Sequence, residues 1–137
     1  MSYDLMAFNP AKAPKNKAEF MKWYEGLTQW GEGHSYDDIS ICSPELQGWY
    51  REMLTFFPAM NGPDAVSDEE LDADEDLESR VSDYCVARDA IYVAFAWSQA
   101  ENAYDKVVEL ARKHRVGFFD VSGKDLDVIL PDDEPAY

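Results

Sequence analysis

The chain has 137 residues, 46% of them apolar and 14% aromatic, with 28 acidic against 12 basic side chains and a net charge of −16. That length and apolar content fit a single domain with one real core and exclude a disordered, solvating tail. No apolar run approaches the ~20 residues that a membrane helix needs, and a strongly negative field favours a basic partner while repelling nucleic acid and anionic membranes.

Residues 3–8 read as a first strand, which Asn9-Pro10 and Pro14 end. Asn16 is a good N-cap, with Glu19 at the third helical position. Phe20, Trp23, Tyr24 and Leu27 then follow at i, i+3, i+4, i+7 and predict a helix over 17–29, ended by Gly31 and Gly33. Ser43 as N-cap and Pro44 at the first helical position open a second helix. Leu46, Trp49, Tyr50, Met53, Leu54 and Phe57 form its stripe, and Pro58 stops it. Asn61-Gly62-Pro63 is a turn.

Residues 61–90 hold 11 acids and 2 bases, whereas the first thirty residues hold 3 acids and 4 bases. Blocks of like charge are usually solvated loops, so 61–80 is expected to be an acidic loop. Residues 84–87 and 90–97 are rich in strand formers, either as a hairpin or as one long bulged strand. Ile91, Val93, Phe95 and Trp97 share one face of the second run. The other face, with Tyr92, Ala94 and Ala96, is apolar too, which indicates a central strand. Ser98 and Glu101 have the spacing of a capping box. Tyr104, Val107, Val108 and Ala111 make the buried stripe of the helix that follows, and the bases at 112–115 suit its negative dipole end. Residues 116–121 and 126–130 are two further strands about a Ser122-Gly123 turn, and 131–137 is an acidic tail.

The predicted order is β-α-α-β-β-α-β-β. It gives an α+β fold: a single mixed sheet with helices packed on one face, a ferredoxin-like βαββαβ plan with an added helix and an added terminal strand. The strand–helix–strand over 90–121 is a right-handed crossover if its strands are parallel neighbours. The N-terminal residues lack the basic flank and apolar stretch of a secretory signal. Cys42 and Cys85 have no metal or redox spacing and fit free thiols in a reducing cytosol.

Two regions invite a functional reading. In the first, Asp72, Asp74 and Asp76 begin like a calcium loop, but the sixth and twelfth positions are Leu77 and Asp83, where Gly and Glu are needed. No metal and no cofactor are expected. The region, with Asp68, Glu69, Glu70, Asp72, Asp74, Glu75 and Asp76, is instead a candidate docking surface for a basic protein. The second region holds Trp30, Glu32, His34, Ser35, Tyr36, Asp37 and Asp38. Adjacent residues cannot all face one reacting atom, so a catalytic triad is not expected there. A turn capped by Asp37 or Asp38 fits, as does a protein-contact loop anchored by Trp30, His34 and Tyr36.

The segments Ser2-Tyr3-Asp4-Leu5-Met6, Glu32-Gly33-His34-Ser35-Tyr36-Asp37-Asp38 and Phe57-Pro58 with Met60-Asn61-Gly62-Pro63 resemble a family of small acidic bacterial proteins. So do Tyr92 with Phe95-Ala96-Trp97-Ser98, and Val116-Gly117-Phe118-Phe119-Asp120-Val121-Ser122. Its members are similar to immunity proteins, the cytosolic partners that protect a bacterium from a secreted polymorphic toxin. The resemblance implies a cytoplasmic, non-enzymatic inhibitor that occludes the active site or substrate cleft of a basic toxin domain. It implies no catalytic residue. The alternatives are a small metal-assisted hydrolase using His34, Asp37 and Asp38, and a nucleic-acid mimic that blocks a DNA-binding protein.

Overall fold

Tyr3–Phe8 form β1, and the alternation of its side chains organises the molecule. Leu5 and Ala7 point to one face of the sheet, Met6 and Phe8 to the other, and all four are fully buried. The computed structural model describes residues 2–32, 36–60, 62 and 64–131. Beside β1 lie β2 (Asp83–Val86), β3 (Ala90–Phe95), β4 (Gly117–Phe119) and β5 (Val128–Ile129), in the spatial order β2-β3-β1-β4-β5.

The fold is α+β with one five-stranded sheet, and the element order follows the sequence pattern. The expected mixed sheet is corrected: every neighbouring pair is antiparallel. β3 and β4 do run parallel across a helical connection. The physical reason they do not pair is that β1 inserts between them, antiparallel to both. This is the split βαβ arrangement of ferredoxin-like sheets. The 84–97 run resolves as a hairpin, closed by the Ala87 N–H donating to the Ala90 carbonyl at 2.9 Å.

The first face is covered by α2 (Pro44–Met53) and α5 (Ala100–Lys113). Leu46, Trp49 and Met53 of α2 meet Val107 and Leu110 of α5 above Leu5, Val93, Phe95 and Phe118. The buried Trp49 indole N–H donates to the Val107 carbonyl at 3.4 Å, so its polar tip is satisfied inside the core. Helices on one face alone is the second correction. α1 (Lys17–Leu27) packs on the opposite face, where Phe20 sits 5.1 Å from both Phe8 and Phe119 between ring centroids. The central strands are apolar on both sides, so a single helical layer would leave Met6, Phe8 and Phe119 in water.

Two local expectations also change. Ser98 makes no cap: residues 97–99 form a 3₁₀ turn, and α5 begins at Ala100 without a side-chain cap bond. The acidic stretch is not a loop. It forms α3 (Asp68–Ala73) and α4 (Glu75–Arg80), each six residues long. Asp68, Glu69 and Glu70 occupy the first turn of α3, where the helix dipole favours them. Ser67 caps this helix: the Glu70 N–H donates to Ser67 Oγ at 3.1 Å, and that hydroxyl donates to Glu70 Oε1 at 3.2 Å. Asp74 caps α4 by accepting from the Asp76 and Leu77 N–H groups.

Candidate functional site

Helices this short are not stable alone in water; the body of the protein fixes them. The Val66 N–H donates to the Ala59 carbonyl and the Ser82 N–H to the Pro58 carbonyl, anchoring the segment at both ends. Leu71 and Leu77 are half-buried beneath it. Arg80 pairs with Asp76 at 2.9 Å and reaches the Phe56 carbonyl at 3.4 Å, while the Gln99 side chain donates to Ser79 Oγ at 3.3 Å. Asp68, Glu69, Glu70, Asp72, Asp74 and Asp76 are all exposed; Glu75 opens α4. The result is an ordered acidic surface, with Arg80 paired within it.

The second region is tied to the turn of the β2–β3 hairpin. The Val86 N–H donates to the Tyr36 carbonyl at 2.8 Å, and the Arg88 N–H to Glu32 Oε1 at 3.0 Å. The Glu32 N–H donates to the Tyr36 hydroxyl at 2.7 Å. Trp30 and Tyr36 both adopt left-handed backbone angles, φ 54° and 62°. Such strain costs on the order of 1 kcal/mol per residue and persists only where contacts hold it. The Trp30 ring lies edge-on to Tyr36 at 5.3 Å and to Tyr92 at 5.9 Å. These rings therefore extend the cover of the second sheet face beside α1, and both are half-buried. His34 lies outside the described residues.

Asp37 and Asp38 part company. Asp38 caps the 3₁₀ turn Ile39–Ile41, accepting from the Ser40 N–H at 2.9 Å and the Ser40 hydroxyl at 2.6 Å. Asp37 faces the start of the acidic segment. A Cβ built on Gly62 would stand 3.0 Å from Asp37 Cβ, and Gly62 has φ +78°. Close by, the Tyr50 hydroxyl donates to Asp64 Oδ2 at 3.0 Å. Burial pushes the Tyr50 hydroxyl pKa upward, and Asp64 and then Asp37 add to the push. The two regions, separate in sequence, thus meet at the Asp37–Gly62 contact.

The sequence pattern missed the apolar part of this surface. Phe56 (37% exposed), Met60 (50%) and Trp97 (48%) are the exposed large hydrophobic residues of the described chain. Phe56 is held through Arg80 of α4, the Met60 N–H bonds the Ser82 carbonyl at 3.0 Å, and Trp97 follows the end of β3. All three lie toward the end of the sheet where β2 begins and β3 ends. Trp97 does not continue the buried face of β3, because the strand stops at Phe95 and the chain turns.

Reactive groups are scarce among the described residues. No group of three or more His, Cys, Asp or Glu side chains there is arranged to hold a metal ion. Burial, followed by Asp89, Glu32 and Asp38, pushes the Cys42 thiol up to about 12, and that thiol donates to the Ala87 carbonyl at 3.1 Å. Burial and Asp83 raise Cys85 as well. Neither thiol is a ready nucleophile. On the second sheet face the Tyr92 hydroxyl donates to Asp4, and burial with that bond raises its pKa. No helix of the described chain is long and apolar enough to cross a membrane. No protein-family model, no curated protein and no solved structure matches the chain.

Proposed function

We propose that this protein is an immunity-type inhibitor that binds a cognate antibacterial toxin domain in the cytoplasm and blocks its active site or substrate cleft without doing chemistry itself. One observation carries the proposal. Exposed carboxylates stand on two capped, anchored helices, next to exposed Phe56, Met60 and Trp97, in a chain of net charge −16. Carboxylates held in place by folded backbone need little ordering when a partner arrives, so less binding energy is lost to entropy. The negative field steers a basic partner, and the apolar residues supply contacts that lose water at the centre. Asp37 approaches Gly62 at the start of the acidic segment, so the loop that carries Trp30, Glu32 and Tyr36 adjoins that segment through Asp37. The experiment is to co-express the protein with the toxin domain proposed as its partner. A co-purifying complex that silences the toxin supports the proposal. A toxin that stays active with the protein in excess overturns it.

The ordered placement of the acids also favours a narrower second reading, in which they occupy the phosphate-binding surface of a nucleic-acid-handling toxin. Competition between this protein and an oligonucleotide for the toxin domain tests it. Simultaneous binding of both would rule it out.

A further inference from the structure

The first turns of α5 pack against the start of β1 and leave a cleft of about 390 Å³ lined by Tyr3, Ala100, Glu101, Tyr104 and Asp105. That volume falls at the small end of ligand clefts, roughly 300 to 1,000 Å³. We propose that this cleft binds a guanidinium group, an arginine side chain that the basic partner presents. The identity of the occupant rests on the inhibitor reading above; the cleft itself stands on its own geometry.

The walls are aromatic. Tyr3 and Tyr104 line the cleft, and the half-exposed Trp97 indole packs on Tyr3, with ring centroids 5.2 Å apart. The rim is anionic. Glu101 and Asp105 are four residues apart on α5, so they stand on one side of the helix, and both are exposed. No basic residue is among those lining the cleft. Lys106 is engaged on another flank of α5, 3.0 Å from Glu109 Oε2 and 4.0 Å from the centroid of the Phe56 ring. Arg112 borders the next groove, about two turns along the helix.

Electrostatics agrees with this geometry. Burial, then Asp120 and Asp105, push the Tyr3 hydroxyl up to about 12, so the field at that wall is negative. Asp120, behind Tyr3, adds to the negative field there, and its Oδ1 is buried without a hydrogen-bond partner among the described residues. An aromatic wall beside carboxylates favours guanidinium over ammonium, because the planar group stacks on rings and forks onto a carboxylate at once. A second copy of this acidic chain is disfavoured by like charge. Trp97, packed on Tyr3, backs the aromatic wall of the cleft.

The test titrates ¹⁵N-labelled full-length protein with N-acetyl-arginine methylamide, and separately with the lysine and citrulline analogues. The expected result is a saturable shift of the Trp97 indole and the amides of residues 100–105 with the arginine probe. The lysine probe should act more weakly and the uncharged citrulline probe not at all. Glu101→Gln with Asp105→Asn should weaken the arginine response about fivefold, in keeping with two solvent-facing ion pairs. Trp97→Ala, at an exposed position, should weaken it independently. Equal responses to arginine and citrulline, shifts confined to α3 and α4, or an unaffected double variant would each overturn the site. If the toxin domain binds while the probe bypasses the cleft, the cleft proposal alone fails. If the probe binds but the toxin does not, the cleft survives as a guanidinium site and the inhibitor function fails.

Discussion

Gly117→Ala tests the packing of α1 against the second sheet face. Gly117 lies directly across from Phe8 in the β1–β4 pair. A methyl group at 117 would stand 2.3 Å from Phe8 Cζ, 2.4 Å from Cε2 and 2.7 Å from Cε1, where ordinary contact is 3.4–4 Å. The ring must therefore move by about an ångström. It has nowhere to go: Phe8 is fully buried, with Phe20 at 5.1 Å and Trp23 at 6.0 Å between centroids. Overpacking of a close-packed core costs about 1–3 kcal/mol, and a clash with a caged ring belongs at the upper end. For a domain of this size, ~3 kcal/mol lowers the melting temperature by roughly 10 °C. Urea denaturation followed by circular dichroism measures the loss directly. Phe8→Leu removes the clashing atoms, so the double variant should be more stable than the sum of the single losses by about 1 kcal/mol or more. A Gly117→Ala protein within about 0.5 kcal/mol of the parent, the range of an inert surface change, would refute the packing.

Asp120→Asn should stabilise the protein at neutral pH. Burial and then Asp127 raise the Asp120 pKa above its ordinary 3.8, so in the folded state the ionised form is disfavoured. Its stability contribution is whole below 3.8 and is lost as pH rises through the folded value. The gain from Asn should appear in melts at pH 7 and vanish in melts below 3.8. Ser43 and Ser98 separate a working cap from an apparent one. Ser43→Ala should cost about 1 kcal/mol, because its hydroxyl accepts from the Leu46 N–H at 3.3 Å. Ser98→Ala should fall within about 0.5 kcal/mol of neutral, since α5 has no side-chain cap; a loss equal to that of Ser43→Ala would contradict the 3₁₀ turn.

Periodicity carried the long elements. The stripes of α1, α2 and α5 and the alternation of β1 and β3 were legible, because each repeats often enough to select a face. The stripe of α1 names a buried side but not which face of the sheet receives it. That choice depends on Met6, Phe8 and Phe119 needing cover, a requirement visible only once the strands are ordered. The acidic run was misjudged because composition treats its charges alike. Their positions differ: Asp68, Glu69 and Glu70 favour a helix start, Asp74 caps the next helix, and Leu71 and Leu77 hold both down. The Ser67–Glu70 spacing was a readable signal for α3. At the candidate site, the sequence supplied the charge but not the neighbours. The contact of Asp37 with Gly62 joins residues 25 apart in the chain, and Trp97 looked like the next buried residue of β3 until the strand ended two residues earlier.

Tryptophan fluorescence in a stopped-flow mixer can time association of this protein with its toxin domain across a salt series. The screening length shrinks from ~30 Å at about 0.01 M to ~3 Å at about 1 M, so steering by the α3–α4 surface should fade across that range. The on-rate is predicted to fall by about tenfold or more, with dissociation little changed. Neutralising Asp68, Glu69 and Asp72 as amides should flatten the dependence. An on-rate indifferent to salt, or one that the amide variant leaves as steep as before, would contradict docking through the acidic flank.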